Sequence, residues 1–135
     1  MGPIETDIGP TVGGNIRKGL AMILKPGEKI HVIIRRAFCG DIRRHFVGEV
    51  RDVENNIVRS EGYLFIHDPN TNLFVRKPDS QTRLFSLVDA GNIISILPAA
   101  ANLKKLAYRL VEKHRMVLAD GESILMDINE FGANR

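Results

Sequence analysis

A chain of 135 residues, 44% hydrophobic and 26% charged, has the size and balance of one globular domain that buries a core without disulfides or metal. Its single cysteine, Cys39, excludes an intrachain disulfide and suits a reducing cytoplasm, and no apolar run approaches the roughly 20 residues that span a bilayer. The net charge of +3 is small but uneven: residues 25–51 carry seven Lys or Arg against three acids, and residues 119–135 carry four acids against one Arg.

The opening stretch, MGPIETDIGPTVGG, lacks the charged-then-apolar pattern of a secretory signal. Residues 1–24 are expected to form a partly disordered arm, with a short helix or strand over residues 16–24 weakened by Gly19. Lys25-Pro26-Gly27-Glu28 reads as a turn. Over residues 29–38, Ile30, Val32, Ile34 and Phe38 alternate against Lys29, His31 and Arg35, which predicts a half-buried strand.

Residues 43–66 organise the chain as a long hairpin that turns at Asn55-Asn56, where Asn tolerates positive φ. On its first arm Phe46, Gly48 and Val50 share a face. On its second, Val58, Gly62, Leu64 and Ile66 share one face and Tyr63 and Phe65 the other. That arm is apolar on both sides, which predicts a central strand or a contact with another subunit. Gly48 and Gly62 are expected to mark a bulge or a sharp bend.

A loop over residues 67–72 and a short strand over 73–75 follow. Residues 83–88 and 92–97 are expected to pair across Asp89-Ala90-Gly91. Asn102 is placed to cap a helix with Leu103, Leu106, Ala107 and Leu110 on one face, although a strand over 106–111 fits the same residues. Asp120-Gly121 is a strong hairpin signal between residues 116–119 and 123–128. The expected fold is mainly β: a small, strongly bent barrel, Sm-like or SH3-like, over residues 25–98, with a helix or hairpin appendage over 99–135.

Arg35, Arg36, Arg43, Arg44, His45 and Arg51 are the candidate nucleic-acid-binding residues, because the planar guanidinium donates two parallel hydrogen bonds to phosphate. Strand neighbours point to opposite faces, so at most half of such pairs share a surface. Phe38, Phe46, Tyr63, Phe65 and Phe74 suit core positions better than base-stacking ones. The histidines, His31, His45, His67 and His114, lack metal-ligand spacing. Cys39 and His45 are near in sequence, but a small buried cysteine is the commoner case. No phosphate loop, dinucleotide glycine pattern or Gly-x-Ser-x-Gly is present. No catalytic residue, cofactor, metal or small-molecule substrate is expected.

Gly48, Val50, Val53, Glu54 and Ile57, together with Ala90-Gly91-Asn92 before Ile93–Leu97, resemble the two motifs of the Sm-like family over residues 29–98. The resemblance implies a bent five-stranded barrel that assembles into rings through edge strands and binds single-stranded RNA. The family's RNA-contacting Asp, Asn and Arg are here Glu54, Val58 and Ala90, so that nucleobase site is not carried over. The expected function is a non-catalytic, homo-oligomeric binding module that takes RNA or another polyanion on its basic face. The alternative is a structural or protein-interaction domain without a nucleic-acid ligand.

Overall fold

The computed structural model describes residues 23–89, 91–112, 115–121 and 123–128. The element expected over 16–24, all but its last two residues, and His114 lie outside them. Among the described residues the chain forms two antiparallel sheets and no α-helix. Among these residues no helix is long and apolar enough to cross a membrane.

The first sheet contains β1 (Lys29–Ile34), β2 (Arg44–Glu54), β3 (Ile57–Asp68), β4 (Leu73–Arg76), β5 (Gln81–Ser86) and β6 (Asn92–Leu97), in the order β4-β3-β2-β1-β6. β3 is long enough to carry two partners on one edge: β5 along residues 57–62 and β4 along 65–68. The central hairpin forms as expected and turns with Asn55 at φ 55°.

Four expectations are corrected. β1 ends at Ile34; residues 35–43 are a loop, and Phe38 is 75% exposed. The irregularity in the hairpin falls between Val50 and Asp52, while Gly48 and Gly62 sit directly opposite one another. Residues 83–88 and 92–97 do not pair: β5 joins β3 and β6 joins β1, on opposite sides of the sheet. The sheets are also not closed, since β6 and the β4/β5 edge do not meet. A hairpin reading looks only at neighbours in sequence, whereas each of these strands finds a longer-range partner already in the sheet.

After β6 a single 3-10 turn, Leu103–Lys105, is capped by the Asn102 side chain, which accepts the Lys104 N–H at 3.0 Å. A helix does not follow. Leu106 and Tyr108 are buried and Ala107 and Arg109 exposed, so period-2 alternation governs this stretch. It forms β7 (Leu106–Val111), which pairs with β8 (Arg115–Asp120), and β8 with β9 (Ser123–Asp127), the last turn being made by Gly121 at φ 64°.

This second sheet packs on one face of the first. Val47, Phe65, Phe74 and Leu97 meet Leu106, Tyr108 and Leu118 in one core, while Ile30, Val32, Phe46, Val50, Val58 and Phe85 form another on the opposite face. Polar tethers hold the layers: Lys29 Nζ donates to the carbonyls of Ala99 and Ala101, and Arg76 Nη2 to those of Leu103 and Leu106. β3 is therefore apolar on both faces because both are covered within one chain. Of the two expectations for this arm the central strand holds: Val58, Leu64 and Phe65 are all buried, while Ile57 beside the turn is 42% exposed.

Candidate anion site

Three strand ends converge at one end of the first sheet. Ile34, the last residue of β1, lies between Arg44 at the start of β2 and Asn92 at the start of β6. Arg35 extends this junction by donating its N–H to the Gly91 carbonyl at 2.6 Å. The loop over 35–43 folds on itself, with Arg36 Nη1 donating to the Cys39 carbonyl and the Phe38 N–H to the Asp41 carboxylate. The result is a recess of about 300 Å3 lined by Arg35, Arg36, Arg43, Arg44, His45 and Gly91, among others.

Five of the six candidate residues thus border one cavity. Arg35, Arg36 and Arg43 lie in the loop between β1 and β2, where strand alternation no longer separates neighbours, and Arg44 is the first residue of β2. Among the described residues none of the four arginines forms an ion pair with a carboxylate. The acids in the bordering loops are engaged elsewhere: Asp41 with the Phe38 N–H, and Asp89 with the Gly91 N–H. Four arginines border one small recess, the Arg36 guanidinium resting on the Cys39 carbonyl and that of Arg43 over the Phe74 ring, and their summed positive charge favours an anion there.

Arg51 does not belong to this group. It lies in a separate groove and pairs with Glu49 at 3.3 Å and Glu61 at 3.0 Å. Glu49 is on the same strand face two residues away, whereas Glu61 reaches Arg51 only through the β2–β3 register. Cys39 is exposed, contrary to the expected small buried cysteine, and no hydrogen bond joins it to His45.

Behind the recess lies a feature that sequence reasoning missed. His31 and His45 are buried, and both reach the Tyr108 hydroxyl, His31 through Nε2 at 2.7 Å and His45 through Nδ1 at 2.8 Å. His45 stacks on Phe74 at 3.9 Å between ring centroids, and the Arg43 guanidinium sits 5.6 Å over that same ring. His31 and His45 are 14 residues apart, and Tyr108 belongs to the other sheet, so no spacing rule could have grouped them. The one available signal was a polar residue on the buried-looking strand 29–34.

One hydroxyl proton cannot serve two imidazole acceptors, so one ring must donate to the oxygen and the other accept. His31 Nδ1 is buried with no partner. Placing the His31 proton there would orphan a donor, so it belongs on Nε2. The chain then runs from His31 Nε2–H to the Tyr108 oxygen, and from the Tyr108 O–H to His45 Nδ1. His45 is left with its proton on Nε2.

Burial pushes the His31 pKa down to about 4. Burial, followed by the charges of His31, Arg43 and His67, pushes His45 down to about 3. Tyr108 is raised well above its ordinary value by burial. All three are neutral at pH 7. Replacing Tyr108 by Phe keeps the ring but strips both imidazoles of their partner. Denaturant melts at pH 7.5 should show a loss of about 2–4 kcal/mol, from two buried nitrogens left unpaired. An unchanged midpoint would mean that the hydroxyl contributes nothing.

Among the described residues no group of three His, Cys, Asp or Glu side chains is placed to hold a metal ion. Comparison with family models, with curated proteins and with solved structures returns no match.

Proposed function

We propose that this chain is a non-catalytic binding module that takes single-stranded RNA through the arginine-lined recess and works as a homo-oligomer. The observation that carries the RNA part is the gathering of Arg35, Arg36, Arg43 and Arg44 around one small volume without carboxylate partners. A guanidinium carries five N–H donors, so one that has no carboxylate partner keeps donors for phosphate oxygens. The Sm-type spacing adds to the reading, with the difference that phosphate contacts stand in for the family's nucleobase site.

The oligomer part is supported by the two edges of the first sheet, which have no strand partner among the described residues. Both carry exposed aliphatic residues, Ile93 and Ile96 on β6, Val75 and Leu84 on the β4/β5 edge. Such edges template pairing with a second copy. Because the two edges differ, copies would join head to tail, the contact that builds a ring where the rotation between copies closes.

The test is binding of a short single-stranded RNA as a function of salt, with native mass recorded alongside. Each phosphate contact contributes a slope of about −0.7 in log K against log salt, so four contacts give about −3 per recess. Arg35→Gln with Arg43→Gln should lower the slope by about 1.4. Arg51→Gln should leave it alone. Absent or salt-insensitive binding sinks the RNA reading, and a concentration-independent monomer sinks the oligomer. An oligomer that ignores RNA would instead favour a structural, protein-interacting role.

A further inference from the structure

Resting on that reading of the recess, we propose that His45 is its specificity-determining donor: a neutral imidazole whose Nε2–H binds one oxygen of a phosphoryl group held by the surrounding arginines. The orientation comes from the buried chain. His45 Nδ1 is engaged by Tyr108 at 2.8 Å, and Tyr108 by His31 at 2.7 Å, so in the tautomer assigned above Nε2–H is the ring's remaining donor. Stacking on Phe74 fixes the plane of the ring. Nε2 has no protein partner among the described residues and is not among their buried unpartnered atoms, and the residue borders the recess. A donor held this way is preorganised, which a long arginine side chain is not.

Magnitudes decide whether the bound ring is neutral or charged. Facing His45 are His31 on β1, His67 on β3, Arg76 on β4 beyond Phe65, and Tyr108 on β7. Arg44 adjoins it on β2 and Arg43 just before that strand, Arg35 and Arg36 follow β1, and Gly91 and Ile93 lie at the start of β6. These are neutral or cationic, and the acids of the bordering loops, Asp41 and Asp89, accept from the Phe38 and Gly91 N–H groups. An opposite charge nearby raises a histidine pKa by about 1–3. Starting from about 3, His45 with an anion bound still titrates below pH 6.5. It therefore binds as a neutral donor at pH 7, without taking up a proton. Affinity is flat from pH 8 to 6.5 and rises only below that.

Sulfate is the probe, since it does not titrate in this range. It is added to the full-length protein while imidazole and guanidinium nitrogens are followed by 15N NMR. The expected result is that His45 Nε2 and the recess arginine signals move together, with Nδ1 remaining unprotonated and equal affinity at pH 8 and 6.5. His45→Phe should weaken sulfate roughly tenfold, the loss of one charge-assisted hydrogen bond, and His45→Gln, which keeps an N–H at a similar reach, should restore much of it. If the arginine signals move while His45 stays still, or if affinity climbs steadily from pH 8 to 6.5, the inference falls and the recess reading stands. If no signal moves, both fall.

Discussion

Replacing Gly62 by Ala is expected to abolish the fold or to cost at least about 3 kcal/mol, because the added carbon has nowhere to go. A Cβ there would lie 1.9 Å from the Val47 carbonyl oxygen and 2.4 Å from the Gly48 Cα. Both are backbone atoms of β2, the strand that pairs with β3 along ten registered positions. Neither can retreat without opening the ladder at the centre of the sheet. Gly48 is constrained from the other side, by Phe46 Cε2 at 2.6 Å and the Glu61 carbonyl oxygen at 2.7 Å. The two glycines face each other and let β2 and β3 approach more closely than any side chain permits. Gly40→Ala is the control: nothing lies within 4 Å of its Cβ position, and its stability should change by well under about 1 kcal/mol. Urea unfolding of the three proteins checks this. A Gly62→Ala protein as stable as the wild type would refute the close approach.

Acid should unfold this protein from a higher pH than carboxylate titration explains. In the unfolded chain histidine takes up its proton near pH 6.5. In the folded chain His31 does so only at about 4 and His45 at about 3. Between these values the unfolded state binds more protons than the folded one, so stability falls as pH falls. It is intact above pH 6.5, declines through the window, and levels off below pH 3. A tenfold change in proton affinity between the two states corresponds to about 1.4 kcal/mol, so the two histidines together weigh on the order of several kcal/mol, comparable to the whole stability of a small domain. The interval from pH 6.5 to 5 is the diagnostic one, because ordinary carboxylates stay ionised there. Urea midpoints at pH 7.5, 6 and 5 should drop steadily in the wild type and less steeply in His45→Phe. A midpoint indifferent to pH across that interval would contradict the burial of neutral imidazoles.

The sequence by itself determined what depends on neighbours along the chain. Alternation marked β1, β2 and β3. Asn55-Asn56 and Asp120-Gly121 marked two tight turns, and the clustering of Arg35, Arg36, Arg43 and Arg44 marked the basic end. Such signals arise from side-chain direction and local φ preference, which need no partner. Where two local patterns competed, at residues 102–111, the outcome passed to packing. Leu106 and Tyr108 are buried against the first sheet, and only a strand points both that way.

The tertiary structure alone decided the rest. Which strands pair was settled by long-range register, so β5 and β6 went to opposite sides of the sheet although sequence proximity paired them. One face of β3 is covered by the second sheet and the other by side chains of the first sheet itself, Phe85 among them, so both are covered within one chain. Arg51 left the basic group because Glu61 stands beside it. The His31–Tyr108–His45 chain joins residues 77 and 63 positions apart, and nothing local distinguishes those histidines from His67. Burial is what sets them apart: taken out of water, each polar nitrogen had to find a partner or go without, and only the packing of one sheet on the other brought the Tyr108 hydroxyl within reach.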